Sequence, residues 1–392
     1  MAGDVVTVRA GQQAPPSWDA CVFVGAVPGP SPLGPWQAEV IELLAQQWNG
    51  DGPLVLFLPE QGDQADGDRV HGYLQWYDRA LAAADVVLFW WPADSDPRLM
   101  PAALAAWQDS QRVVHGTPMS APHSQYLREH ADRHAIAAAT SLPDLVNVAL
   151  DKIGTGAPRD AGECEVPLAV WRTSSFQRWY AAQTSAGNTL LGARQVWTFD
   201  TGPDNSFLLY WALQVRIHVR AEDRVKSNEV VISRPDIAVV ALYRRGATID
   251  DTVIVLVREF RSPASTADGF VHELPGGSGA EATDSAQAVR ETVEETGLAI
   301  DAGRLRARGS RQLAATMSAH HAHLFAAAIT DDELARLRAA RSAPHGAGGS
   351  ERTWPEIATF REIRRRHLVD WATLGMIADA VLDDRDGARR AG

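Results

Sequence analysis

Within the first 155 residues, continuous apolar runs alternate with amphipathic segments, and this alternation narrows the fold more than any other feature. CVFVGAV (21–27), PLVLFLP (53–59), DVVLFWWP (85–92) and the short RVVHG (112–116) show no polar alternation, so each reads as a strand buried on both faces. Between and after them, WQAEVIELLAQQW (36–48), GYLQWYDRALAAA (72–84), LMPAALAAWQDS (99–110) and SLPDLVNVALDKI (141–153) repeat apolar residues at a helical period. The expectation is an α/β region with a parallel sheet covered on both faces. Ligands of such sheets sit at the carboxyl ends of strands, so a site is expected in the loops after Gly25, Pro59 and Pro92.

The texture then changes. GTGAPRDAGECE (154–165) is glycine-rich, charged and aperiodic and reads as a linker. Beyond it, ARQVWTFD, SFLLYWALQVRIHV, EVVISR, DIAVVALYRR and TVIVLVREF follow one another without helices, as in an antiparallel or mixed sheet. Helices are expected near 284–296, 331–341 and 369–383. This divides the chain into a domain at 1–155, a linker at 156–166 and a second domain at 167–392. A length of 392 residues agrees, since one core serves roughly 150 residues.

Composition removes several function classes. Lysine plus arginine total 37 against 49 aspartate plus glutamate, a net charge of −12, which opposes non-specific gripping of duplex nucleic acid. A local arginine pocket or a bound divalent cation still leaves room for small phosphorylated ligands. Two cysteines, Cys21 and Cys164, support neither a disulfide framework nor a thiolate metal site. The N-terminal residues lack the basic-then-apolar pattern of a secretory signal, and no apolar stretch of about 18 residues suggests a membrane span. A cytoplasmic location is expected.

RETVEETG (290–297) concentrates the chemistry. On a helix, Glu291, Glu294 and Glu295 stand at i, i+3 and i+4 and share a face, where like charges repel. Either the face is solvated or hard divalent cations sit over it. Arg290 is placed to steady a carboxylate, and Gly297 to end the helix in the left-handed conformation. Upstream, Gly276 and Gly277 allow close backbone approach to a phosphate or let a carbonyl join a metal shell.

ELPGG, followed after twelve residues by RETVEETGL, resembles the Nudix box, G-x5-E-x7-R-E-U-x-E-E-x-G-U with U aliphatic. Gly277 matches its glycine, Arg290 and Glu291 the RE pair, Glu294 and Glu295 the EE pair, and Gly297 and Leu298 its close. Two departures stand out: the upstream glutamate position falls on Ala282, beside Glu281, and the aliphatic position after RE is Thr292. IVLVREFRSP (254–263) is similar to the strand before the box in ADP-ribose and nucleoside-diphosphate-sugar pyrophosphatases, which makes Arg261 a candidate substrate ligand. The resemblance implies an α/β/α sandwich with a mixed sheet and Mg2+ or Mn2+ held by Glu291, Glu294, Glu295 and the Gly276 carbonyl. It also implies hydrolysis of a diphosphate bridge, with Glu351, or Glu356 behind it, as a late-loop acid. ADP-ribose is the first substrate expected and an NDP-sugar the second. A rival metal reading takes His321 and His323, with His320, as zinc ligands on a strand.

FVGAVPGP (23–30) with Trp36, QWYDRALAAADVVLFWWP (75–92) and AALAAW (102–107) resemble nucleoside 2-deoxyribosyltransferase-like domains. The resemblance implies a flavodoxin-like fold that binds a nucleoside or nucleotide. The family's nucleophilic glutamate would fall among Ala103, Leu104 and Ala105, where no side chain can attack a sugar carbon, while Asp78 keeps an acid nearby. Open readings are a degenerate nucleotide-binding domain, a working N-glycosidase or transferase using Asp78, a sensor that turns nothing over, and a homodimer platform built on Trp90 and Trp91.

Overall fold

The computed structural model describes residues 4–25, 34–59, 67–95, 110–201, 207–279, 284–346 and 352–390. The chain forms two compact units, Met1–Ser233 and Arg234–Gly392. Among the described residues no helix is long and apolar enough to cross a membrane.

The first unit contains β1 (Val5–Arg9), β2 (Ser17–Trp18), β3 (Ala20–Val24), β4 (Leu54–Leu58), β5 (Val86–Trp90), β6 (Val113–Gly116) and β7 (Ala137–Ala139). Apart from β2, these make one six-stranded sheet in the order β1-β4-β3-β5-β6-β7, and every neighbouring pair is parallel. From β4 onward the order is flavodoxin-like, and β1 extends one edge. Helices α1 (Pro35–Gln47), α2 (Gly67–Ala83), α3 (Ser124–His134) and α4 (Leu142–Ile153) accompany the sheet. The expected helix at 99–110 lies almost wholly outside the described residues. Alternate strand residues feed two cores: Phe23, Val87, Phe89 and Trp91 pack with Leu127, while Val22, Leu88 and Val114 pack with Val40, Leu145 and Ala149. Trp90 and Trp91 belong to these cores, and Trp91 stacks on Phe89. Trp91 is buried, whereas Trp90 is half-buried against the second core.

The expected linker is part of this unit. Residues 159–160 form β8 (Arg159–Asp160), which pairs with β2. The Arg159 guanidinium is fully buried and bidentate on Asp85, at 2.9 and 2.6 Å, and it also donates to the Val166 and Asp19 carbonyls. Asp85 accepts further from the backbone N–H groups of Cys21 and Leu168. One carboxylate thereby ties the start of β3, the start of β5, β8 and the start of α5 (Leu168–Trp171) together. Arg159, inside a glycine-rich charged stretch, is what turns a sequence-level linker into structure. After α5 come α6 (Ser174–Ser185) and an antiparallel sheet of β9 (Thr189–Thr201), β10 (Phe207–Val219) and β11 (Arg224–Ser233), in the order β11-β10-β9. Phe176 of α6 packs on Trp211, Leu213 and Val215 of that sheet. The boundary between compact units therefore falls after Ser233 rather than within 156–166.

The second unit holds a mixed sheet of β12 (Ile237–Arg244), β13 (Val253–Phe260), β14 (Phe270–Glu273), β15 (Gly276–Ser278), β16 (Arg306–Gln312), β17 (His321–Ala328) and β18 (Thr353–Thr359). Its order is β14-β13-β12-β17-β16, with β15 on β12, β18 on β13, and β12 parallel to β17. β12 and β13 pair over two positions, Tyr243↔Ile254 and Arg244↔Val253, and then part. Beyond the parting, β15 takes the edge of β12 and β14 that of β13. Helices α7 (Ser285–Thr296) and α8 (Asp331–Ala340) cover one face through Ala288, Leu334 and Leu337. The other face is covered by α9 (Phe360–Arg366) and α10 (Trp371–Arg390) through Ile363, Ile377 and Ala380.

Arg159→Met should leave Asp85 buried without its counter-charge and destabilise the first unit by about 3–5 kcal/mol, read from the urea midpoint. A change below about 1 kcal/mol would show that the pair does not anchor this segment.

Candidate functional site

Helix α7 forms for local reasons. The Asp284 side chain caps its first turn by accepting from Ala286 N, and Gly297 ends it at φ 71°, where a side chain would be strained. Thr292, at the departure from the aliphatic pattern, is fully buried and donates its hydroxyl to the Ala288 carbonyl at 2.8 Å. Its methyl group therefore faces the core at no cost in unsatisfied hydrogen bonding. Glu291 and Glu295 fall on the side of the helix that meets β15.

The glycine pair meets these acids directly. Gly276 N–H donates to Glu295 Oε2 at 2.8 Å. A Cβ on Gly277 would stand 2.3 Å from the Glu291 carboxyl, so only glycine lets the strand and the carboxylate approach this closely. The contact that the structure shows at Gly276 is thus its N–H on Glu295, whereas the sequence suggested its carbonyl as a metal ligand. Gln287 donates to Glu291, and Arg290 Nη2 donates to Gln287 Oε1 at 2.6 Å. Arg290 thus steadies Gln287, which in turn holds Glu291.

Across the gap between β12 and β13 lies a second set of charges. Arg261 Nη2 stands 2.8 Å from Glu259 and 3.3 Å from Glu273. Glu259 is buried. Burial pushes the Glu295 carboxyl up to about 8, the Gly276 N–H opposes that, repulsion from Glu291 and Glu259 adds to it, and Arg261 relieves it. Three charged side chains, from α7, β13 and the residue after β13, thus influence one partly buried carboxyl. Neither Glu259 nor Glu273 was singled out from the sequence. The signal was present in VREFR, where Glu259 and Arg261 are two apart on a strand and so share a face.

The remaining candidates separate. Ile254 and Leu256 point to the core under α9 and α10, and Val255 to the core under α7. Strand alternation therefore puts Glu259 on the α7 face, while Glu356, opposite Leu256, lies on the other. There it pairs with His272 at 2.8 Å. Glu356 is thus on the wrong side of the sheet to serve Glu295, and Glu351 lies outside the described residues, as do Glu281 and Ala282. Among the described residues, no hydrogen bond or ion pair joins the Glu294 side chain to the cluster, although its backbone carbonyl accepts from Gly346 at 3.0 Å. His321 and His323 gather on Asp236 rather than as a zinc cage: His323 Nε2 is 2.7 Å from one carboxylate oxygen, and His321 N donates to the other at 3.0 Å. His320 Nδ1 contacts Ser318 Oγ instead. Among the described residues, no group of three or more His, Cys, Asp or Glu side chains already converges to hold a metal ion.

In the first unit, Asp78 is exposed on α2 beside Tyr77. Ala103, Leu104 and Ala105 lie outside the described residues, as does most of the loop after Gly25. No family model matches the chain, and no curated protein matches it.

The Glu295 shift has a defined sign. A carboxyl whose ordinary value is near 4.5 but which sits at about 8 when folded binds its proton more tightly in the folded state. Its contribution is fully present below about pH 4.5 and is lost as pH rises through 8. With a chelator present, stability of the second unit should therefore fall across this window, by up to about 1.4 kcal/mol per pH unit, and Glu295→Gln should flatten the slope. An unchanged slope in the variant would remove Glu295 as the source.

Proposed function

We propose that the second unit is a Nudix-type pyrophosphohydrolase that cleaves the diphosphate bridge of a nucleoside diphosphate linked to another moiety. ADP-ribose is the first candidate substrate and an NDP-sugar the second. The observation that carries this reading is Glu295: a largely desolvated carboxylate next to Glu291, held against a glycine strand that has no room for side chains. Such a group is stable in ionised form once a cation neutralises it. The order and spacing of PGG, α7 and Gly297 also support assigning this unit to the Nudix α/β/α sandwich.

The donor chemistry fits Mg2+ or Mn2+, because Glu291 and Glu295 offer hard carboxylate oxygens and Glu259 adds negative charge behind them. Bound there, the ion would polarise the diphosphate and lower the pKa of a water molecule. The chain's own residues do the positioning. The Gly276 N–H and the Gln287 amide orient Glu295 and Glu291, so neither carboxylate must be ordered at the moment of reaction. Arg261 is partly exposed and held between Glu259 and Glu273, which fixes its guanidinium while leaving N–H groups for a phosphate oxygen. Glu351 remains the proposed late-loop acid.

For the first unit the reading is a deoxyribosyltransferase-like domain that binds a nucleoside or nucleotide without turning it over. The exposed position of Asp78 favours this, since a catalytic acid works from an enclosed, oriented setting. No free base should be released from nucleosides or nucleotides, and release abolished by Asp78→Asn would reverse the reading.

The test of the hydrolase is product release from ADP-ribose, NADH, NDP-sugars and nucleoside triphosphates with Mg2+ or Mn2+. At least one diphosphate-linked substrate should be cleaved, and Glu291→Gln and Glu295→Gln should each slow it by about 100-fold or more. Binding without cleavage of any of these compounds would favour the sensor reading instead.

A further inference from the structure

A cavity of about 180 Å³ in the first unit lies away from the carboxyl ends of the parallel strands. Its lining includes Asp85 and Arg112, which immediately precede β5 and β6, so it opens at the amino ends. These two side chains are already committed: Asp85 to Arg159, and the Arg112 Nη1 to the carbonyls of Leu81, Ala82 and Ala84.

Two other charges are not committed in this way. Lys152, near the end of α4, donates from Nζ to the Gln111 carbonyl at 3.0 Å, which leaves further N–H groups. Asp200, on β9, has no hydrogen-bond or ion-pair partner for its carboxylate among the described residues. The two sense each other's charge, yet no ion pair forms between them. Burial lifts the Asp200 carboxyl to about 6, and Lys152 opposes that shift. Ile153, Leu168, Val170 and Leu208 supply an apolar wall to the same cavity.

We propose that this cavity binds a small zwitterion of the amino-acid class, with its ammonium on Asp200, its carboxylate on Lys152 and an aliphatic side chain against the wall. Size and charge both narrow the occupant. A cavity of about 150 Å³ holds a benzene ring, so this one takes a ligand slightly larger, far short of a nucleotide. A simple anion would meet Asp200 and a simple cation Lys152, and each would leave one charge unanswered. The site is independent of the acids on α7, so it would supply a binding or regulatory function separate from hydrolysis.

Calorimetric titration of the full chain with leucine, valine and methionine tests this, with 4-methylpentanoate and isoamylamine as leucine lacking one charge each. At least one amino acid should bind, and each single-charge analogue should bind about tenfold or more weakly than leucine. Asp200→Asn and Lys152→Met should each cost about tenfold in affinity while the thermal unfolding temperature stays unchanged. The proposal is overturned if none of the three amino acids binds up to millimolar concentration. It is equally overturned if an analogue binds as tightly as leucine, or if the variants bind as wild type does.

Discussion

A carboxylate taken out of water must be neutralised, and the way each buried acid in this chain meets that demand orders the rest of the structure. Asp85 meets it completely, through Arg159 and two backbone N–H groups. Glu333 does so through a bidentate Arg304, which holds its carboxyl down to about 2. Asp236 is engaged by His323 and by the His321 backbone. These acids act as structural ties: Asp85 fastens the parallel sheet to the segment that leads into β9–β11, and Glu333 caps α8.

Glu295 and Asp200 are different. Each is pushed upward by burial, Glu295 to about 8 and Asp200 to about 6. Glu295 has Arg261 in range, but that arginine is shared with Glu259 and Glu273. Asp200 faces a lysine without closing on it. A fold that leaves a charge incompletely answered gives up some stability there, and such places are where ligands complete the balance. The two units thus present one physical motif in two settings: a carboxylate surplus suited to a divalent cation, and a separated charge pair suited to a zwitterion.

Much of this was legible from local sequence. The period of RETVEET and the glycine after it placed the helix at 284–296, against Ser285–Thr296 observed, because capping and helical spacing are local properties. The apolar runs of the first unit likewise announced buried parallel strands. What was not legible depends on contacts far apart in the chain. Arg159 sits among glycines and charges that read as a linker, and its partner lies 74 residues away. Glu273 enters the site through the register of β13 with β14, which no short pattern encodes. The register of β13 with β18 removes Glu356 from contention by turning it to the opposite face. Helix α3, SQYLREHADRH, escaped notice because Leu127 and Ala131 carry its apolar face almost unaided.

The central claim is that Glu295 and Glu291 form a divalent-cation site. Titrating Mn2+ into the chain at pH 7, in two buffers of different ionisation enthalpy, measures both binding and the protons released. Because Glu295 sits at about 8, wild type should bind Mn2+ with release of about one proton, and Glu295→Gln should lose most of the affinity and the release together. Mn2+ binding that survives Glu295→Gln with the same proton release, or no binding by wild type, would contradict the account.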